Sequence, residues 1–200
     1  MNVVIDGNIG SGKTTQLDML ERKGWFVKRE PIDKWPLELF YNNMSRWAFL
    51  LQIRILQTIR PQRSGVTIYE RGLLSTRHVF WEWLVSKKMV TEAEHESYEE
   101  AYERYVWYPD VYIYLAKPTE LSYEHVQKRH QTGDSGVTLE YMKELNELYE
   151  KMLPRVPCCV HVINADRTPE EVHAQVLDVL SLYTPSDGVL FVSNDRRPKV

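Results

Sequence analysis

The strongest constraint in the chain is the stretch Gly7-Asn8-Ile9-Gly10-Ser11-Gly12-Lys13-Thr14-Thr15, which directly follows the apolar run Asn2-Val3-Val4-Ile5-Asp6. Its spacing, G-x-x-x-x-G-K-T between a predicted strand and a predicted helix, is that of a phosphate-binding loop. The glycines let the backbone curl until successive N–H groups point inward at phosphate oxygens, and the N-terminus of the next helix adds a positive field. Lys13 then reaches the β- and γ-phosphates, and Thr14 ligates Mg²⁺. A strand, a tight loop and a helix in this order commit the chain to an α/β architecture and imply a nucleoside triphosphate. They leave the acceptor open: water, a protein, or a small hydroxyl or phosphate compound. The N-K-x-D signal of a GTPase switch is absent, so the small acceptor leads.

The rest of the chain agrees with that architecture. Five β-rich runs, 2–7, 25–30, 65–70, 110–116 and 160–166, alternate with helical patterns beginning near Gly12, Pro36, Leu73, Thr119, Val137 and Pro169. This alternation is the signature of a parallel sheet covered by helices. Gly24, Pro61 and Pro109 act as breakers. In residues 137–153, Leu139, Met142, Leu145, Leu148 and Met152 recur at three- and four-residue steps, the pattern of an amphipathic helix with one packing face. The expected organisation is a single domain over residues 1–183, followed by a tail over 184–200 that is either loose or an added edge strand.

Charge and cysteine usage narrow the partners. A formal net charge of −3 over 200 residues argues against a protein built to grip nucleic-acid backbone, which needs clustered Lys and Arg. Adjacent Cys158 and Cys159 give neither a disulfide framework nor metal-ligand spacing, and are expected to be small buried hydrophobes in a reducing compartment. No apolar run approaches the ~20 residues of a membrane span. With no signal or transit pattern before Val3, the expected location is cytoplasmic, in the host cytoplasm if the protein is viral.

Three further stretches, "REPIDKW", "FYNNMSRWAFLLQ" and "YERGLLSTRHVFWE", together with "GNIGSGKTT", resemble the deoxynucleoside kinase family from about residue 3 to residue 166. The resemblance implies a doubly wound α/β fold with a five-stranded parallel sheet and a short lid near residues 127–136. It also implies Mg²⁺-ATP as donor, a deoxynucleoside 5′-hydroxyl as acceptor, and a homodimer packed through helices. By the same resemblance Glu30 is the general base, a role suited to a carboxylate at the carboxyl end of a strand beside the glycine-rich loop. Glu70 is expected to hold Mg²⁺ with Thr14, and Arg71 to contact the 5′-oxygen or the transferring phosphoryl. Gly72 stands where the family usually has Ser.

The expected nucleoside pocket follows residue by residue. Gln52, Ile55 and Ile59, at i, i+3 and i+7 of a helix over 46–60, share one face, and by the same resemblance this face forms the base-pocket floor. The Gln52 amide offers one acceptor and one donor pair, and half a turn matches it to thymine or cytosine. Phe80 resembles the aromatic that stacks on the base, Trp35 the one lining the pocket, and Tyr41 the tyrosine that bonds the sugar 3′-hydroxyl beside a lid acid matched by Asp134. Arg129 stands for the lid arginine that stabilises transition-state charge, whereas Gln131 replaces a second one. Relatives that favour deoxycytidine and purines carry Arg and Asp at the positions of Ile59 and Thr76. Their absence points to thymidine first and deoxycytidine second. The rivals are a thymidylate kinase, which would want an Arg near the 5′ position, and a non-catalytic nucleotide-binding module.

Overall fold

The computed structural model describes residues 1–62, 64–129 and 136–184. Five parallel strands, β1 (Asn2–Asp6), β2 (Val27–Lys28), β3 (Thr67–Glu70), β4 (Val111–Ala116) and β5 (Cys159–Asn164), form one sheet in the order β2-β3-β1-β4-β5. The central strands are near-continuous apolar runs, as expected where helices cover both faces of a parallel sheet. Alternation sends Val3, Ile5, Ile68, Ile113 and Leu115 into one core, and Val4, Tyr69, Tyr112 and Tyr114 into the other. The first core is closed by α1 (Lys13–Arg22) and α9 (Pro169–Ser181). The second is closed by α3 (Met44–Thr58), α6 (Glu92–Tyr105) and α8 (Leu139–Met152). The face expected on α8 packs inward, with Met142, Leu145 and Met152 buried beside Tyr141 and Tyr149.

Several boundaries differ from the sequence reading, each for a local reason. β2 pairs with β3 at only two positions, Val27↔Ile68 and Lys28↔Tyr69. Pro31 offers no N–H to extend the ladder and restricts the residue before it, so Glu30 stands beyond the strand. The helical pattern from Pro36 splits into α2 (Leu37–Asn42) and α3, because Asn43 turns out of the helix and its side chain accepts from the Arg46 N–H. α3 ends at Thr58, ahead of Arg60-Pro61. Helix α6 is not marked by apolar periodicity: half of its run is charged, and the signal that marks it is the capping box of Thr91 and Glu94.

From Leu73 the chain forms a short α4 (Leu73–Ser75), a π-helical turn Thr76–Trp81 and α5 (Glu82–Ser86). The remaining helix, α7 (Thr119–Arg129), carries the first residues of the expected lid. Residues 130–135, and the tail beyond Thr184, lie outside the described residues. No helix among the described residues is long and apolar enough to cross a membrane. Cys159 corrects an expectation: it is exposed and Cys158 half-buried, both as free thiols, because β5 is an edge strand.

Candidate active site

The glycine-rich loop leaves β1 and turns into α1 at Lys13. Gly10 and Gly12 adopt φ of 77° and 97°, the left-handed region that glycine enters without cost. A side chain on Gly10 would also collide with the Ser122 carbonyl, so the loop lies flush on α7. Ile9, Gly10, Gly12, Lys13, Thr14 and Thr15 face a cavity of about 680 Å³. Gly7, Asn8 and Ser11 brace the loop from behind: Asn8 Nδ2 donates to the Met142 carbonyl at 2.8 Å, and the Ser11 N–H to the Asn8 carbonyl at 3.2 Å. Lys13 Nζ donates to the carbonyls of Gly7 and Asn8, each at 3.0 Å. Burial, then the neighbouring Arg71 charge, lowers its pKa to about 8. A phosphate anion at the cavity floor would oppose that shift and favour the charged amine.

Sheet register delivers the charged groups. Ile5 pairs with Glu70, and the Arg71 N–H continues the ladder to the Ile5 carbonyl at 3.0 Å. Thr14 Oγ1 donates to Glu70 Oε1 at 2.5 Å. Among the described residues no three His, Cys, Asp or Glu gather to hold a metal by themselves. Mg²⁺ needs none, since it binds through one or two protein oxygens plus phosphates and water. The Thr14–Glu70 pair fits that role.

Glu30 Oε1 lies 3.1 Å from Arg71 Nε, at ion-pair distance but without the alignment of a hydrogen bond. Burial pushes the Glu30 carboxyl above its usual range, Arg71 opposes the shift, and Glu70 adds to it. The preceding residue, Arg29, pairs with Asp18 at 2.6 Å and Glu21 at 2.9 Å, tying this segment to α1.

The other end of the cavity is apolar and aromatic, lined by Trp35, Leu51, Ile55, Phe80, Leu84 and Tyr141. Gln52 joins them, 3% exposed, and its Oε1 is buried with no hydrogen-bond partner. A buried acceptor left open is costly unless a ligand completes it. Trp35 is fixed by its Nε1 donating to Thr58 Oγ1 at 2.9 Å. Thr76 spends its hydroxyl on the Gly72 carbonyl at 3.1 Å. Phe80 carries the Arg71 guanidinium on its ring, 4.4 Å from the centroid. Tyr41 and Arg129 also line the cavity. Ile59 does not: it lies past the end of α3 in extended backbone, buried in the core, where its carbonyl accepts from Trp107 Nε1 at 3.3 Å. Asp134 lies outside the described residues.

This arrangement, a phosphate cradle, a cation pair and a carboxylate opening on one apolar cleft, suits phosphoryl transfer to a hydroxyl compound. Residues 3–181 match the model of the deoxynucleoside kinase family. The chain belongs to the deoxynucleoside kinase family. Kinases of this family are ATP-dependent phosphotransferases, and this one is an enzyme of that class. Human mitochondrial thymidine kinase 2 is 30% identical to the kinase over 192 residues, covering 85% of this chain and 72% of its own. Protein 029R of Invertebrate iridescent virus 3 is 30% identical over 186 residues, covering 90% and 95%. A structure of deoxyadenosine kinase from M. mycoides, described with products dCMP and dCDP bound, superposes with a TM-score of 0.83 at 22% identity, over 92% of this chain and 100% of that one.

Sequence reasoning missed the groups beneath the kinase's glycine-rich loop. Asp6 is fully buried, and hydroxyls of Ser75, Tyr112 and Tyr149 all donate to its carboxylate. The available signal was an acid closing an otherwise apolar central strand. Tyr141, which lines the cavity from α8, was hidden in the same way inside a packing face.

Proposed function

We propose that the kinase transfers the γ-phosphate of ATP to the 5′-hydroxyl of a pyrimidine deoxynucleoside, thymidine ahead of deoxycytidine. The observation that carries this reading is the open Gln52 acceptor on an uncharged wall of the same cavity that holds Glu30 and Lys13. Thymine N3–H would complete that acceptor, and the rotated amide serves cytosine. Among the described residues the apolar end of the cavity carries no charged side chain, and so supplies no ion pair for a purine edge. Ile59, buried in the core, no longer contributes to this argument; the apolar wall is made by Leu51, Ile55 and Leu84 instead.

In the proposed reaction Glu30 accepts the proton of the 5′-hydroxyl while the new O5′–Pγ bond forms. The bond from Pγ to the β,γ-bridging oxygen breaks, and ADP leaves with that electron pair. Lys13 and Arg71 face the oxygens on which charge develops, and Arg129 adds to them from α7. Thr14 and Glu70 would hold Mg²⁺, which when bound spreads the charge of the phosphate oxygens. Tyr41 and Asp134 are assigned to the sugar 3′-hydroxyl on the family resemblance. A homodimer packed through helices is part of the same reading, and exposed Leu39 and Leu50 supply it with apolar surface. So is a cytoplasmic location, which the two free thiols fit.

The test is to incubate the protein with labelled ATP, Mg²⁺ and each of the four deoxynucleosides, with thymidine monophosphate as a competing acceptor. Thymidine and deoxycytidine are expected to be phosphorylated, with purine specificity constants lower by about tenfold or more, the scale of one unmatched pocket group. A higher specificity constant for deoxyadenosine than for thymidine, or preference for the monophosphate, would overturn the assignment.

A further inference from the structure

We infer that Asp6 is a positioning residue for phosphoryl transfer: from beneath the glycine-rich loop its carboxylate fixes the loop's first peptide and competes with Glu30 for Arg71. This rests on the kinase reading above and adds to it a residue that touches neither substrate. Asp6 has no exposed surface and does not line the cavity. Its Oδ1 accepts from the Gly7 N–H at 2.7 Å and the Tyr149 hydroxyl at 2.9 Å. Its Oδ2 accepts from Ser75 Oγ at 2.5 Å and the Tyr112 hydroxyl at 2.6 Å. Two oxygens have about four acceptor sites, so the group is saturated. The donors come from four different places, the loop, α8, α4 and β4, and meet on one carboxylate.

Arg71 is the catalytic partner this arrangement serves. It adopts φ of 61°, a left-handed backbone that is uncommon outside glycine and persists only where surroundings enforce it. Its guanidinium is shared: Nε lies 3.1 Å from Glu30 and 3.9 Å from Asp6, and NH2 donates to the Gly7 carbonyl at 3.4 Å. Once Glu30 takes up a proton, its attraction for the guanidinium weakens. Because Asp6 is a second anion on the same guanidinium, Arg71 can turn toward the phosphoryl oxygens without being left to Glu30 alone. Tyr149 extends the hold to α8, since its hydroxyl also lies 3.3 Å from the Gly7 carbonyl. The ionisable groups around Asp6 are Arg71, Lys13, Glu30, Tyr112 and Tyr114 from β4, and Tyr149. Around Glu30 they are Arg71, Glu70, Lys13 and Asp6. The Asp6 charge raises the Glu30 pKa, so removing it should lower it.

Asp6→Asn removes the charge with little change of shape, and the Ser75 and Tyr112 hydroxyls can rotate to accept from the new amide. The expected result is a cooperative melt and native near-ultraviolet circular dichroism. Relative to the wild type on the same deoxynucleoside, kcat falls about tenfold or more, as when one preorganised charge is lost, while KM for that nucleoside holds. The acid limb of kcat/KM moves to lower pH. A folded Asp6→Asn enzyme with wild-type kcat, or with an unmoved acid limb, would overturn the inference. Should Asp6→Asn fail to fold, Tyr149→Phe decides: a raised KM for ATP with an unmoved acid limb supports the inference, and an unchanged KM for ATP overturns it. A wild-type protein inactive on every deoxynucleoside would instead sink the kinase reading itself.

Discussion

Glu30 and Arg71 stand 3.1 Å apart, and their contact sets how the enzyme should answer to pH and to mutation. Removing the carboxylate with Glu30→Gln is expected to lower kcat by about 10²- to 10⁴-fold, the usual worth of a positioned base, while isothermal titration still detects thymidine binding. Retained turnover would remove Glu30 from the role. Burial raises the Glu30 pKa, so its proton is held to higher pH than on a free carboxyl of 4.5. Activity should therefore fall as pH drops through a value above 4.5, visible in the acid limb of kcat/KM. At this scale the sequence was legible in placement wherever a residue belongs to a local motif, as for Lys13, Thr14, Glu70 and Arg71, which all line the cavity. It was opaque where the job depends on distant segments meeting. Nothing local to Asp6 announces Tyr149, which is 143 positions away.

Elements were legible in proportion to their apolar periodicity. Helix α8 declared itself because Met142, Leu145 and Met152 repeat on one face, and all three are buried. α6 did not, because Tyr98 and Tyr102 are its only buried residues. Strand β2 was overread, since "WFVKRE" has strand composition but finds a partner at only two positions. Ile59 was misplaced by the same kind of step, helical spacing extended past the residue where α3 stops. The packing of α8 yields a stability prediction: Leu145→Ala, at a site with no exposure, should cost about 2–5 kcal/mol through lost burial and the cavity left behind. For a chain of this size each kcal/mol shifts Tm by about 2–4 °C, so differential scanning calorimetry should show a clear fall.

For the molecule as a whole, the sheet order explains why groups remote in sequence work together. The chain leaves β1 toward β2 and β3 on one side and returns to β4 on the other, and the crevice at the carboxyl ends of these strands receives Lys13, Glu30 and Arg71. That order followed from alternating strands and helices, but the bracing of the crevice did not. Helix α8 touches both halves of it: the Met142 carbonyl holds Asn8 in the glycine-rich loop, while Tyr141 lines the apolar end. On the proposed reading, one helix thus borders both the donor and the acceptor. Any shift of α8 on nucleoside arrival would therefore be felt at the triphosphate, and thermodynamic reciprocity requires the converse. A non-hydrolysable ATP analogue should tighten thymidine binding by the same factor by which thymidine tightens the analogue, about fivefold or more if the coupling is of ordinary size, as two calorimetric titrations would measure. A coupling of that size would let donor bind more readily once acceptor is in place, so that occupancy by donor alone, the state open to wasteful hydrolysis, is lowered though not abolished.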